Sequence, residues 1–325
     1  MPRISVLMPV YNGMPYIPEA VESVLAQDEQ DWELVISDNG STDSTRDYLS
    51  TLQDPRIRVH LQQANLGIFG NLNFLLAQTR ASIAKILCAD DKLLPGALAR
   101  IAAFMEERPW CAVSRCWAVG DAQQFELGQR AELEGALPAR IYPAAAILAF
   151  ATFGNLVGNL SKGACRPKWV MEQGGFDQGF PYAGDYEGWI RVSACHGIAL
   201  QNEELIYERR HATQNSVLLN RKNELFTQVT KLIETLARMV SASDLAILKR
   251  HWTIYFLSQR IPRLVRQTLA GEPTLAYKGL MELPLGISPV AVIAAYPVLK
   301  FNLPPARATT RKLFARIVAV NGGQS

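Results

Sequence analysis

Three carboxylates stand where apolar runs of the chain stop: Asp38 after "WELVIS", and Asp90 with Asp91 after "AKILCA". A further apolar run, Ile4 to Val10, contains Pro9 and gives way to Tyr11 and Asn12. Two adjacent carboxylates repel, so an unpaired Asp90–Asp91 in a crevice would be costly. A divalent cation offsets that repulsion, and hard oxygen ligands favour Mg²⁺ or Mn²⁺. The plainer alternatives are a solvated loop pair or a cap for the helix that begins at Pro95.

The elements that must position these residues alternate. Strands are expected over 4–10, 32–37, 56–61, 84–89 and 111–120. Helices are expected over 15–27, 44–52, 65–79 and 95–107. This alternation implies an α/β fold with a doubly wound, mostly parallel sheet. Ligands of such sheets bind beyond the carboxyl ends of the strands. One crevice would then collect an aromatic, an amide and three carboxylates, a convergence that core packing does not require. Residues 121–140 read as a long loop, and an Ala-rich helix is expected near 143–153. The glycines at 174, 175, 179, 184 and 188 suggest an irregular segment lining a site. Asp185 falls near the start of the helix after them, where a carboxylate can act merely as a cap. From Asn220 the pattern is purely helical. It carries an apolar stripe from Leu225 to Val240 and a second over 246–269, interrupted by Pro262.

Composition narrows the class. The chain has 325 residues, 49 % hydrophobic and 19 % charged, enough for a sizeable core. The cysteines at 88, 111, 116, 165 and 195 form no CxxC pair and read as reduced thiols of a cytoplasmic protein. No secretion signal and no membrane-spanning run are expected. Charge is uneven: from Leu245 onward eleven Lys/Arg face two acids, so this stretch carries +9. The whole chain is +3, which leaves −6 on residues 1–244.

The pieces "MPVYNG", "SDNGSTD", "ANLGIFGNLN", "LCADD", "GGFD…GDYEGWIR" and "YERRHATQNS" lie in an order and spacing that resemble family 2 glycosyltransferases of the GT-A fold. The resemblance spans residues 4–216. It implies a catalytic domain over 1–216, a helical C-terminal extension over 217–325, and an inverting, metal-dependent transfer from a nucleotide-diphosphate sugar. Pro9, Tyr11 and Asn12 match the nucleotide-contacting loop, and Asp38 matches the acid that accepts a hydrogen bond from the base. Asn39 replaces the second acid of that pattern. Ser41 and Asp43 read as caps of the next helix. Asp91 matches the metal ligand and Asp90 the ribose contact, although Cys88 stands where many relatives have an acid. His211 matches a further metal or diphosphate contact, with an ordinary surface histidine as the alternative. Arg209 would steady the diphosphate. Asp185 matches the general base of an "ED" motif whose first acid is Gly184 here. Trp189 and the histidines at 60, 196 and 251 read as structural.

These matches imply UDP as donor nucleotide ahead of dTDP or GDP. The acceptor would be a glycan or lipid-linked glycan of surface polysaccharide, lipopolysaccharide or O-antigen type. The other class considered is a catalytically silent nucleotide-sugar binding module. After Glu282 no acid remains, so peripheral attachment of the tail to an anionic membrane, at its cytoplasmic face, is expected. The alternative is a solvated basic tail. Nucleic acid is not expected as a partner, since aromatic interleaving and a nucleic-acid fold are missing.

Overall fold

The structure is a computed structural model that describes residues 1–120, 137–211, 224–274, 277, 283–300 and 304–323. The loop expected over 121–140 thus falls mostly outside the described residues, as do residues 212–216 of the last motif. The chain divides into two compact units. One comprises Met1–Pro143 and Asn155–Gln214, the other Ala144–Gly154 and Asn215–Ser325.

The first unit is built on one sheet. Its elements run β1 (Ile4–Val10), α1 (Ile17–Leu25), β2 (Trp32–Asp38), α2 (Thr45–Ser50), β3 (Ile57–Leu61), α3 (Gly67–Ala77), β4 (Ala84–Ile86), β5 (Lys92–Leu93), α4 (Ala97–Glu106), β6 (Val113–Gly120) and β7 (Arg140–Ile141). After α5 (Pro143–Phe153), which lies almost wholly in the second unit, come β8 (Gly163–Cys165), α6 (Pro167–Glu172), α7 (Gly184–His196) and β9 (Ile198–Glu208). Strand order is β3-β2-β1-β4-β8-β6-β9-β5, with β7 also on β9. The long ladders β1–β2, β2–β3 and β6–β9 are parallel, while the antiparallel ones are short. Strands β1 and β2 are largely apolar because both faces are covered: Ile4, Val6, Leu7, Met8, Leu34, Val35 and Ile36 are fully buried.

This topology decides where the site falls. Val10 pairs with Asp38, so the loops after β1 and β2 leave the sheet side by side. Strand β4 runs parallel to β1. β8 is antiparallel to both β4 and β6, and β9 is parallel to β6. The carboxyl end of β9 therefore opens at the same edge as those of β1, β2 and β4. Strand β4 stops at Ile86, three residues earlier than expected, because the Cys88 N–H turns to Ser161 Oγ at 2.9 Å. The acid pair sits in the turn that results.

The second unit is helical, with α8 (Glu224–Met239), α9 (Ala242–Trp252), α10 (Ile261–Leu269), α11 (Pro289–Lys300) and α12 (Pro304–Gly322) besides α5. Leu232, Ile233 and Leu236 of the expected stripe are buried, whereas Met239 is exposed. Trp252 Nε1 donates to Ala151 O at 2.6 Å and His251 bonds Thr152 O at 2.7 Å, tying α9 to α5. The interruption near Pro262 is a π-turn at 253–257 and a 3₁₀ turn at 258–260. Pro262 itself sits in the first turn of α10, where its missing N–H costs nothing.

Candidate active site

The loops after β1 and β2 are bound to each other. Asn12 takes a positive φ of 52°, and its N–H donates to Ser41 Oγ at 2.8 Å. Gly13 N–H donates to Thr45 Oγ1 at 2.8 Å, and Met14 N–H to Asp43 Oδ2 at 3.2 Å. The Asn12 side-chain oxygen accepts from Thr42 N–H at 2.8 Å. Ser41 thus braces the neighbouring loop, and Asp43 divides its oxygens between that loop and Thr45 N–H at 3.0 Å. Tyr11 projects from this frame with 49 % of its surface exposed, while Pro9 lies inside β1.

Asp38 is fully buried and paired with Arg46, Nε to Oδ2 at 2.6 Å. Asn39, in place of an acid, clamps the β3–α3 loop. Its amide nitrogen donates to Asn65 Oδ1 at 2.9 Å and Gly67 O at 3.2 Å, and its oxygen accepts from Leu66 N–H at 2.8 Å. An aspartate could not donate, which explains the amide.

The acids after β4 are differently placed. Asp91 is buried; its Oδ1 accepts the Arg209 N–H at 3.0 Å, and its Oδ2 has no hydrogen-bond partner among the described residues. Burial, with the Asp90 charge, pushes Asp91 up to about 7. Asp90 Oδ2 meets His211 Nε2 at 3.1 Å. Ligand atoms of Cys88, Asp90 and Asp91 all lie within 4.8 Å of one another. Burial holds the Cys88 thiol well above its usual range, so it stays protonated and leaves the anionic charge to the aspartates. An orphaned buried carboxylate oxygen beside a second carboxylate fits a hard divalent cation, while His211 reaches the pair through Asp90.

Below this turn lies a buried ammonium, Lys85. It donates to Ser161 O and to Gly163 O, and burial lowers its proton affinity. Ser161 in turn holds Cys88 N–H, so the floor fixes the acid turn. Arg209 caps the other side. Its guanidinium pairs with Glu19 at 3.0 Å and lies 4.5 Å from the Tyr16 ring, which also meets His211 at 4.7 Å between centroids. Arg209 Nε is buried without a partner among the described residues.

Asp185 lies in the first turn of α7, where the helix dipole favours an anion. Asn155 Nδ2 donates to its Oδ2 at 2.9 Å. Burial nevertheless pushes its carboxyl up to about 6, although the side chain remains partly accessible. The missing first acid has a steric cause: a Cβ on Gly184 would stand 2.7 Å from the Phe69 ring. Trp189 is fully buried, edge-on to Phe176 at 4.9 Å, and is a core residue. The segment after Gly154 connects the clusters. Asn155 holds Asp185, Asn159 reaches Cys88 Sγ at 4.0 Å, and Ser161 holds the Cys88 amide. Sequence reasoning missed Asn155, Arg46 and Lys85. The only signal for Asn155 is its place in the Gly-flanked "GNLVGNLSKG".

A family model described as glycosyl transferase family 2 matches residues 5–151. Over that stretch, a little under half of its length, this chain is similar to glycosyltransferase family 2. An uncharacterized glycosyltransferase of Haemophilus influenzae is 25 % identical over 234 residues, 67 % of this chain and 69 % of the relative. The GalNAc(5)-diNAcBac-PP-undecaprenol beta-1,3-glucosyltransferase of Campylobacter jejuni is 36 % identical over 104 residues, 31 % of this chain and 34 % of the relative. The chain thus spans only about a third of that second relative. The fold matches that of S. aureus TarS 1-349 in complex with UDP-GlcNAc, with a TM-score of 0.60 and 17 % identity, covering 98 % of this chain and 90 % of the other. It also matches the mannosyltransferase PcManGT of Pyrobaculum calidifontis in complex with GDP-Man and Mn²⁺, with a TM-score of 0.59 and 18 % identity, covering 98 % and 86 %. The fold is therefore the GT-A-like α/β sheet that these structures share.

Proposed function

We propose that this chain transfers a sugar from a nucleoside-diphosphate donor to a hydroxyl of a glycan or lipid-linked glycan, inverting the anomeric carbon. The observation that carries this reading is the buried, unpartnered Asp91 Oδ2, set beside Asp90 and His211 at the sheet edge where the β1 and β2 loops emerge. Asp91, Asp90 and His211 would hold Mn²⁺ or Mg²⁺. A bound divalent ion neutralises charge on a departing diphosphate. Arg209 Nε offers a further donor to a phosphate oxygen, and Asp90 is also within the family's ribose-contacting role. Tyr11 offers its exposed ring to the base, with Pro9 and Asn12 shaping the loop beneath it.

Asp185 is the general base. Its raised proton affinity suits that role, because near neutral pH it is ionised yet basic enough to take a proton from an attacking hydroxyl. The hydroxyl oxygen bonds the anomeric carbon as the bond to the phosphate oxygen breaks. Asn155 keeps the carboxylate aimed.

The acceptor reading draws on the Campylobacter relative, whose name specifies an undecaprenol-linked glycan. No helix among the described residues is long and apolar enough to cross a membrane. The second unit exposes Val265, Leu269, Val290 and Ile293 in the stretch that carries the cationic surplus, which suits peripheral contact with anionic lipid at the inner face.

The deciding experiment follows thermal stabilisation and nucleoside-diphosphate release with UDP-, dTDP- and GDP-sugars, with and without Mn²⁺. Metal-dependent stabilisation together with release is expected for at least one donor. Stabilisation with no release, even with glycan acceptors added, would identify a silent binding module instead.

A further inference from the structure

The acid turn holds a third side chain able to ligate a metal. The Sγ of Cys88, a carboxylate oxygen of Asp90 and one of Asp91 all lie within 4.8 Å of one another. Backbone bonds make them converge. Asp91 N–H donates to Cys88 O at 3.1 Å, and Cys88 N–H donates to Ser161 Oγ at 2.9 Å, so the turn is closed without using any of the three ligand atoms. Asp91 is 0 % exposed, and its Oδ2 has no hydrogen-bond partner among the described residues. Cys88 Sγ makes a long contact of 4.0 Å with Asn159 Oδ1, an oxygen that already accepts Ser161 N–H at 3.0 Å. Cys88 is part-buried, whereas Cys111, Cys116 and Cys165 are buried outright.

We propose that Cys88 gives this turn a second metal preference: thiophilic divalent cations, Zn²⁺ and Cd²⁺, bind through Cys88 Sγ together with Asp90 and Asp91 and displace the hard cation that serves the donor. The inference rests on the metal reading of the turn given above. Mn²⁺ and Mg²⁺ take oxygen ligands and leave a neutral thiol aside. A softer cation takes the sulfur, and affinity for such a mixed site rises from Mn²⁺ to Zn²⁺. Zn–S and Zn–O bonds of about 2.3 and 2.1 Å set neighbouring ligand atoms of a tetrahedral ion about 3.5 Å apart. Small side-chain rotations close that gap from the present 4.8 Å limit. As the metal–sulfur bond forms the S–H bond breaks, and the proton passes to the buffer; no oxidant or reductant takes part. A four-coordinate Zn²⁺ with three protein ligands keeps one open position, too few to grip both phosphates of a donor. The exchange therefore inhibits transfer.

The test is titration of the full chain with Cd²⁺, whose bond to thiolate gives an ultraviolet charge-transfer band that oxygen ligands do not. One equivalent of Cd²⁺ should raise that band in the wild type and release bound Mn²⁺, followed by the paramagnetic resonance of the freed ion. Cys88→Ser should lose the first-equivalent band and bind Cd²⁺ at least about 10-fold more weakly, since even an outer-shell partner is worth that much. Its Mn²⁺ affinity should hold. Asp91→Asn should lose both ions, and Cys195→Ser, which removes the exposed thiol, should change neither readout. A band that survives Cys88→Ser at full strength, or that disappears with Cys195→Ser, overturns the inference, as does Cd²⁺ that binds without displacing Mn²⁺. If Cys88→Ser does not fold, Asp91→Asn decides: a wild-type Cd²⁺ band in that protein overturns the inference. A wild-type protein that holds neither ion defeats the metal reading itself. One that holds Mn²⁺ but forms no Cd²⁺–thiolate band defeats only the inference.

Discussion

The two halves of the sheet's carboxyl edge are built on opposite plans. At the β1–β2 half, Asn12, Asn39, Ser41, Asp43 and Asp38 all find protein partners, and the loops are braced before any ligand arrives. At the β4–β9 half, a buried carboxylate oxygen and a buried guanidinium nitrogen have none among the described residues. Buried polar groups are normally satisfied, and a bound ion or ligand is one reason for an exception. The β1–β2 loops are largely braced, although Asn71 Oδ1 beside the end of β2 is also buried without a partner among the described residues; the acid turn holds a charge that a cation and a diphosphate would offset.

The largest way to break this contrast is Asp91→Ala. It should abolish Mn²⁺-dependent nucleotide binding and transfer together, as read by calorimetry and product formation. Asp185→Asn comes next: transfer should fall about 10²- to 10⁴-fold while nucleotide affinity holds. For the wild type, kcat/KM should drop as pH falls through about 6, because protonation below that value removes the base. The fold disfavours the ionised form of this carboxyl, so Asp185→Asn should not lower the melting temperature above pH 6. An unchanged acidic limb in a slowed Asp185→Asn protein would assign the limb to another group.

Smaller effects sharpen the braced half. Asn39→Asp removes both donated bonds to the β3–α3 loop and sets a charge against two acceptors. It should cost about 1–3 kcal/mol, a melting shift of several degrees. The smallest effect belongs to Cys88→Ser. The thiol is held neutral and donates no charge to the site, so Mn²⁺ affinity should stay within about twofold of wild type.

Much of the fold was legible because it rests on periodic apolar runs: β1, β2 and α1 fall within a residue or two of their expected bounds. The acids were legible because polar residues at strand ends stand out against those runs. Their partners were not. Arg46 lies on the exposed face of a short helix and Asn155 in a loop, and nothing local distinguishes either from a solvated residue; only the register of β1 against β2, or the return of the chain past Cys88, makes them meaningful. Gly184 looked like a motif lost and is a steric demand of Phe69. Asn39 stands in for an acid of the family pattern and is a clamp.

Lys85 carries a practical consequence. An amine enclosed this completely is shielded from acylating reagents while the sheet stays closed. Its labelling rate, followed by peptide mass spectrometry, would act as an internal clock for breathing of the β4–β8 seam, and occupancy of the acid turn above it should slow that clock.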